Sequence, residues 1–201
     1  MNAVALVFGP LRRLYDWVLS WAGHPYAPAA LFLIAFAESS FFPIPPDVLL
    51  IALALGAPER GPRLALVATA GSVLGGLGGY AIGYGLMASV GQAILDLYDL
   101  HEEFGRIRHW YLRYDVWAVG VAGFTPIPYK VFTIAAGAFD MDVWRFTAAS
   151  AISRGARFFL VAGLIYYYGA PMKRFIDRYF NALTVLFALL LIGFFVLLGH
   201  L

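Results

Sequence analysis

The chain has 201 residues, 62% of them hydrophobic and 13% charged, with a net charge of +2 and no cysteine; its mean hydropathy is +0.77. Soluble domains carry roughly 25% charged residues, so much of the polar surface that water requires is missing and a lipid-embedded fold is expected. The weak net charge argues against a nucleic-acid binder, and the lack of cysteine excludes disulfides, thiolate metal sites and a cysteine nucleophile.

Residues 1–23 show no cleavable signal peptide, because Arg12, Arg13 and Asp16 lie inside the apolar pattern rather than before it. Leu11, Leu14, Tyr15, Val18 and Leu19 recur at helical spacing and predict an amphipathic helix in the membrane interface. Residues 27–55 are apolar but contain Glu38, then Pro43, Pro45, Pro46 and Asp47. Proline removes a backbone donor and disfavours helix in the residue before it. The halves left on either side are shorter than the about 20 residues a spanning helix needs, so a re-entrant hairpin broken at 43–47 is expected.

Residues 64–90 carry no charge and predict a span. Within them Gly71, Gly75, Gly79 and Gly83 form an i+4 ladder of small residues, the spacing that lets a neighbouring helix approach closely. Residues 91–115 combine Asp96, Asp99, Glu102, Glu103, Arg106, Arg108 and Arg113 with an apolar stripe of Leu97, Leu100, Phe104, Ile107 and Tyr111, the pattern of a surface helix. Residues 116–139 are broken by Pro126 and Pro128, with Lys130 beside them, and predict a second hairpin broken at 126–130. A span over 146–172 follows and contains Arg154 and Arg157. Residues 171–178 read as a short surface piece, and 179–200 as a C-terminal span. Trp17, Trp21, Trp110 and Trp144 fall at the expected interfaces as anchors. His24, His101, His109 and His200 show no metal-ligand spacing.

The two broken segments resemble each other. Pro43-Ile44-Pro45-Pro46-Asp47-Val48 aligns with Pro126-Ile127-Pro128-Tyr129-Lys130-Val131, and Ile51-Ala52 with Ile134-Ala135. A hairpin does not cross and the helix after it crosses once, so the second copy starts on the opposite side from the first. The expected fold is an all-α integral membrane protein of one domain: an inverted repeat of re-entrant hairpin plus spanning helix over 27–90 and 116–172, with interfacial amphipathic helices and a C-terminal span. Such repeats place a site where the broken helices meet. Arg12, Arg13, Arg60, Arg63, Lys173, Arg174 and Arg178 fall on one side and Arg106, Arg108, Arg113 and Arg145 on the other. That bias places the N-terminus in the cytoplasm and the C-terminus outside.

Glu38, Asp47, Lys130, Arg154 and Arg157 then lie within the membrane, each at about 2.5–3.5 kcal/mol if unpaired at a helix centre. Asp47 and Lys130 occupy equivalent repeat positions with opposite signs and are expected to pair. Arg154 and Arg157, at i,i+3, share a helix face, with Glu38 as their counter-charge. Three bases against two acids leave one positive charge over, which suits a phosphate.

Glu38 followed by Phe42-Pro43-Ile44-Pro45-Pro46-Asp47, the Gly-rich span ending near Gly79-Tyr80, and Phe124-Thr125-Pro126-Ile127-Pro128-Tyr129-Lys130 resemble the DedA family, also called VTT or SNARE-associated membrane proteins. The resemblance covers roughly 25–170. It implies movement of undecaprenyl phosphate or phospholipids between leaflets, with acidic residues at the positions of Glu38 and Asp47. Family members also place two arginines around the second break; here those positions hold Gly123 and Lys130, and Arg154 and Arg157 resemble a substitute found in the YqaA-like branch. The expected function is transport of an anionic lipid headgroup in a bacterial cytoplasmic membrane, with proton coupling through the carboxylates and no enzyme activity, metal or cofactor. The alternative is a proton-coupled transporter of a small solute or ion. The sequence leaves homo-oligomerisation open.

Overall fold

A computed structural model of the chain describes residues 24–41, 45–125 and 127–198, with side chains to 169 and at 171. The helix expected over 1–23, both Pro43 and Pro126, and the last residues of the C-terminal span lie outside the described residues.

All regular elements among the described residues are helical. Helix α1 (Ala27–Ser40) carries proline in its first turn, where the missing N–H is not needed, and stops at Phe41, whose N–H still reaches the Ala37 carbonyl. Helix α2 (Pro46–Gly56) starts across the break. Pro45 is extended, with φ −64° and ψ 122°, and Pro46 takes the first helical position. The proline pair therefore prevents α1 from running on and seeds α2. A 3-10 turn, Pro58–Arg60, leads into α3 (Gly61–Leu86).

The rod does not end near residue 90, where the sequence sets its boundary. A π-helical stretch, Met87–Gly91, carries it into α4 (Gln92–Tyr98). Asp99, left-handed at φ 53°, then turns the chain into α5 (His101–Arg113). The second break repeats the first: α6 (Asp115–Phe124) ends at an extended Thr125, and α7 (Tyr129–Ala138) begins after an extended Pro128. Asp140, at φ 57°, precedes α8 (Val143–Leu198), which has Pro171 inside it. The backbone stays helical across 171–178, which the sequence sets apart as a surface piece.

Two stretches, Pro58–Tyr98 and Val143–Gly169, are long and apolar enough to cross a membrane. The 26 residues of α3 alone reach roughly 39 Å at 1.5 Å each, more than the about 30 Å of a hydrocarbon core. Helices α1, α2, α6 and α7, of 14, 11, 10 and 10 residues, reach only roughly 15–21 Å.

Helix α3 is the spine, packed against α1, α7 and α8. The glycine ladder makes this possible. A Cβ on Gly71 or Gly75 would overlap the Phe32 or Phe36 carbonyl of α1, and one on Gly79 or Gly83 would overlap Thr133 or the Ile134 carbonyl of α7. Gly137 of α7 meets the Tyr80 carbonyl in the same way. Helices thus lie backbone on backbone along one face of α3.

The partners are exchanged between the two halves. Helix α1 packs on α3 and α6 on α8, each on the long helix of its own half; α2 packs on α8 and α7 on α3, each on the other's. Two apolar cores result. One joins Leu31, Leu50, Leu53, Leu64 and Phe158; the other joins Val119, Tyr129, Ala136, Met141 and Phe146. Tyr111 belongs to the second core and fastens α5 there by donating its hydroxyl to the Phe132 carbonyl at 2.9 Å. Burial, with lesser contributions from Tyr129 and Asp115, raises that phenol above the usual tyrosine range and keeps it a donor.

A side chain on the ladder must push a neighbouring backbone aside. Gly75→Val and Gly83→Val are expected to lower stability by about 1–3 kcal/mol or more. Gly85→Ala, two residues after Gly83 but with open space where its Cβ would sit, is expected to be neutral or to raise stability by about 0.5–1 kcal/mol. Thermal midpoints of the purified variants in detergent check both.

Candidate functional site

A polar layer separates the two cores. Along α8 the order is Phe146 and Ala149 of one core, then Ser150, Ser153 and Arg154, then Phe158 and Ala162 of the other. Along α3, Leu64, Ala65 and Ala68 give way to Ser72, after which Leu77 and Tyr80 join the second core. The other buried polar residues among those described are Ser39 and Ser40, from the end of α1, and Thr133, from the middle of α7.

Arg154 is the centre of this layer, with 3% of its side chain exposed. Its Nη2 donates to Glu38 Oε2 at 2.7 Å and its Nε donates to Ser72 Oγ at 2.6 Å. Ser72 Oγ lies 2.7 Å from Ser39 Oγ, and Ser39 Oγ donates to the same Glu38 Oε2 at 3.1 Å. A closed ring of Arg154, Ser72, Ser39 and Glu38 results. The guanidinium is also held between two rings, 5.0 Å from the Tyr129 centroid and 4.8 Å from that of Phe158, close enough for cation–π attraction. Tyr129 in turn donates its hydroxyl to Ser150.

Arg157, one turn on, ties the two breaks together. Its Nε and Nη2 donate to the two carboxylate oxygens of Asp47 at 3.1 and 2.9 Å, a bidentate fork. Its Nη1 donates to the Thr125 carbonyl at 2.6 Å, satisfying a backbone group that the end of α6 leaves without a helical partner. One guanidinium therefore holds the start of α2 and the end of α6. Thr133 Oγ1 completes the stitching from the other side, donating to the Ser39 carbonyl at the end of α1 at 3.0 Å and lying 2.9 Å from the Lys130 carbonyl.

The pairing differs from the expected one in one respect. Glu38 is the counter-charge of Arg154, but Asp47 pairs with Arg157 and not with Lys130. The exchange of partners explains this: Asp47 on α2 faces α8, which carries the arginines, whereas Lys130 on α7 faces α3, which has no acidic residue. Among the described residues Lys130 has no ion-pair partner, and it is half-buried in the first turn of α7. A cation there adds to the positive end of the helix dipole instead of offsetting it.

Gly123 has its own reason. A Cβ there would overlap Ser153 Oγ and lie 3.6 Å from Arg154 Cδ. The space for a side chain at 123 is taken by Ser153, the neighbour of Arg154. The hydroxyls of Ser39, Ser72, Thr133 and Ser150 and the ring of Tyr129 are the site residues that sequence reasoning missed. Their only signal is small polar groups inside otherwise apolar helices.

Cutting the ring leaves a buried charge unmatched. Glu38→Ala is expected to cost about 3–5 kcal/mol, lowering the thermal midpoint by about 10 °C. Adding Arg154→Met in the same chain is expected to recover most of that loss, because both charges are then gone. An unchanged midpoint in Glu38→Ala would contradict the pairing.

The chain matches the VTT domain over residues 44–167, a region that holds Asp47, Lys130, Arg154 and Arg157 and begins just after Glu38. It is 39% identical over 158 residues to an uncharacterized protein of Haemophilus influenzae, covering 79% of this chain and 80% of that one. It is 35% identical, over 79% of this chain and 81% of the other, to an uncharacterized protein of Histophilus somni. A protein of Methanocaldococcus jannaschii is 29% identical over 131 residues, 64% of this chain and 78% of the archaeal one. No solved structure matches significantly.

Proposed function

The chain belongs to the DedA family of VTT-domain membrane proteins, and from that premise we propose that it moves a phosphate-bearing lipid headgroup between leaflets of a cytoplasmic membrane, as a transporter and not an enzyme. In this reading α1–α2 and α6–α7 are re-entrant hairpins of an inverted repeat, with their breaks meeting at mid-membrane. Their lengths support it, since none of the four reaches across a bilayer core, and so does the reciprocal exchange of α2 and α7 between the two long helices. The N-terminus is taken as cytoplasmic, on the bias of Lys and Arg alone.

The observation that carries the proposal is the remainder left by the pairing. Among the described residues the two arginines are matched by two carboxylates, and Lys130 stands beside the second break without an ion-pair partner. The headgroup enters between the breaks and its phosphate meets Lys130 first. Arg157 supplies the second contact. Its fork fits a phosphate as well as a carboxylate, so the headgroup displaces Asp47 from it. Asp47, released, is free to take a proton, which couples movement to the proton gradient. Arg154 stays locked in its ring and holds α1, α3 and α8 in register. The lipid tail remains in the bilayer, so no sealed tunnel is needed.

Leaflet exchange of labelled anionic phospholipid in liposomes holding the purified protein tests this. Lys130→Ala and Arg157→Ala are expected to slow exchange at least about tenfold, the value of one charge-assisted hydrogen bond, and Lys130→Arg to retain it. Wild-type rates in both alanine variants, or uptake of free phosphate without any lipid exchange, would refute the assignment.

A further inference from the structure

A cavity of about 460 Å³ lies away from the breaks, where the π-helical stretch, α5 and the end of α7 meet. None of the residues of the polar layer lines it. Tyr84, Met87, Gln92, Gly105, Arg108 and Asp140 do, and four features converge on them.

The first is the π-helical stretch itself, Met87–Gly91, a rare geometry that recurs at functional sites. The second is Gly105. Glycine weakens a helix interior relative to alanine, and along the ladder of α3 close packing explains it. At Gly105 a Cβ would meet nothing within 4 Å; the position opens onto the cavity. The third is a pair of opposite charges that do not meet. Arg108 gives its Nε to the Phe139 carbonyl at 3.0 Å. Neither it nor Asp140, which is held left-handed at φ 57°, has an ion-pair partner among the described residues. The fourth is location. Tyr84, near the end of α3, lines the cavity with residues of the charged helix α5, and Leu86 and Val90 nearby in the chain are exposed apolar surface. That is the step from apolar to polar surface at which lipid headgroups sit.

We propose that this cavity binds the headgroup of a zwitterionic phospholipid, carrying a phosphate and an ammonium a few bonds apart. The phosphate takes the free Nη groups of Arg108, and the ammonium takes the carboxylate of Asp140 with the Tyr84 ring beside it. The acyl chains run down over Leu86 and Val90. Such a lipid is a resident one: it braces α5 against the π-helical stretch and is separate from the headgroup handled at the breaks.

The full chain, purified and delipidated in detergent, is titrated with dioleoyl phosphatidylethanolamine, with dioleoyl phosphatidylglycerol and with soluble phosphoethanolamine, and bound lipid is counted by native mass spectrometry. One phosphatidylethanolamine per chain is expected, weakened about tenfold by Arg108→Ala or Asp140→Ala and abolished by Gly105→Phe, which fills the cavity. Gly105→Ala is expected to keep binding and to hold or raise the thermal midpoint, showing that α5 tolerates a side chain there. Arg157→Ala is expected to bind the lipid as wild type does. Equal binding of phosphatidylglycerol, equal binding of soluble phosphoethanolamine, or undiminished phosphatidylethanolamine binding in Gly105→Phe would each overturn the proposal.

Discussion

A guanidinium cannot stand bare in an apolar interior, and Arg154 is almost wholly withdrawn from the surface. Much else in the fold follows from that constraint. α1 delivers Glu38 to it from its last turn. α3, otherwise apolar and glycine-rich, has to carry Ser72 at that height. Tyr129 and Phe158 both bring their rings within cation–π distance of the ion. Buried ion pairs are poor stabilisers compared with apolar packing, so their value here is positional. Three helices distant in the chain can meet in one register only, because a slip of one turn would strand the charge.

The two arginines, one turn apart on α8, have different characters. Arg154 spends its donors on a ring with no access. Arg157 keeps 21% of its side chain exposed and holds the ends of two helices, neither of which continues. A contact made at the ends of elements can be exchanged without disturbing a core; a contact made between cores cannot. The difference between a sealed charge and a partly exposed one lies in the backbone breaks as much as in the side chains.

The sequence makes parts of this readable. Proline acts locally, so Pro45, Pro46 and Pro128 mark the breaks to within a residue or two. The glycine spacing is readable because close helix approach needs the missing Cβ at each turn. That Glu38, Asp47, Arg154 and Arg157, charges in apolar segments, must find partners is readable from their cost in lipid. Who pairs with whom is not. Equivalence of Asp47 and Lys130 in the repeat suggests contact, but equivalent positions meet only at the axis itself, and the exchange of α2 and α7 sends the two residues to different long helices. The continuation of α3 through Met87–Gly91 is hidden as well, because the change from apolar to charged residues marks a change of environment and not the end of a helix. Ser39, Ser72 and Thr133 are ordinary residues whose role exists only once three helices have met.

The exchange of arms also has a consequence for how the protein is made. Asp47 and Arg157 are 110 residues apart in the chain. At about 5–20 residues per second, a ribosome releases the acid roughly 5–20 s before its partner exists. During that interval the nascent first half has no α8 to lie on, and neither Asp47 nor Glu38 has the arginine it pairs with in the finished fold. The early segments must therefore wait near the water interface until the last long helix arrives. The halves are bound to mature together.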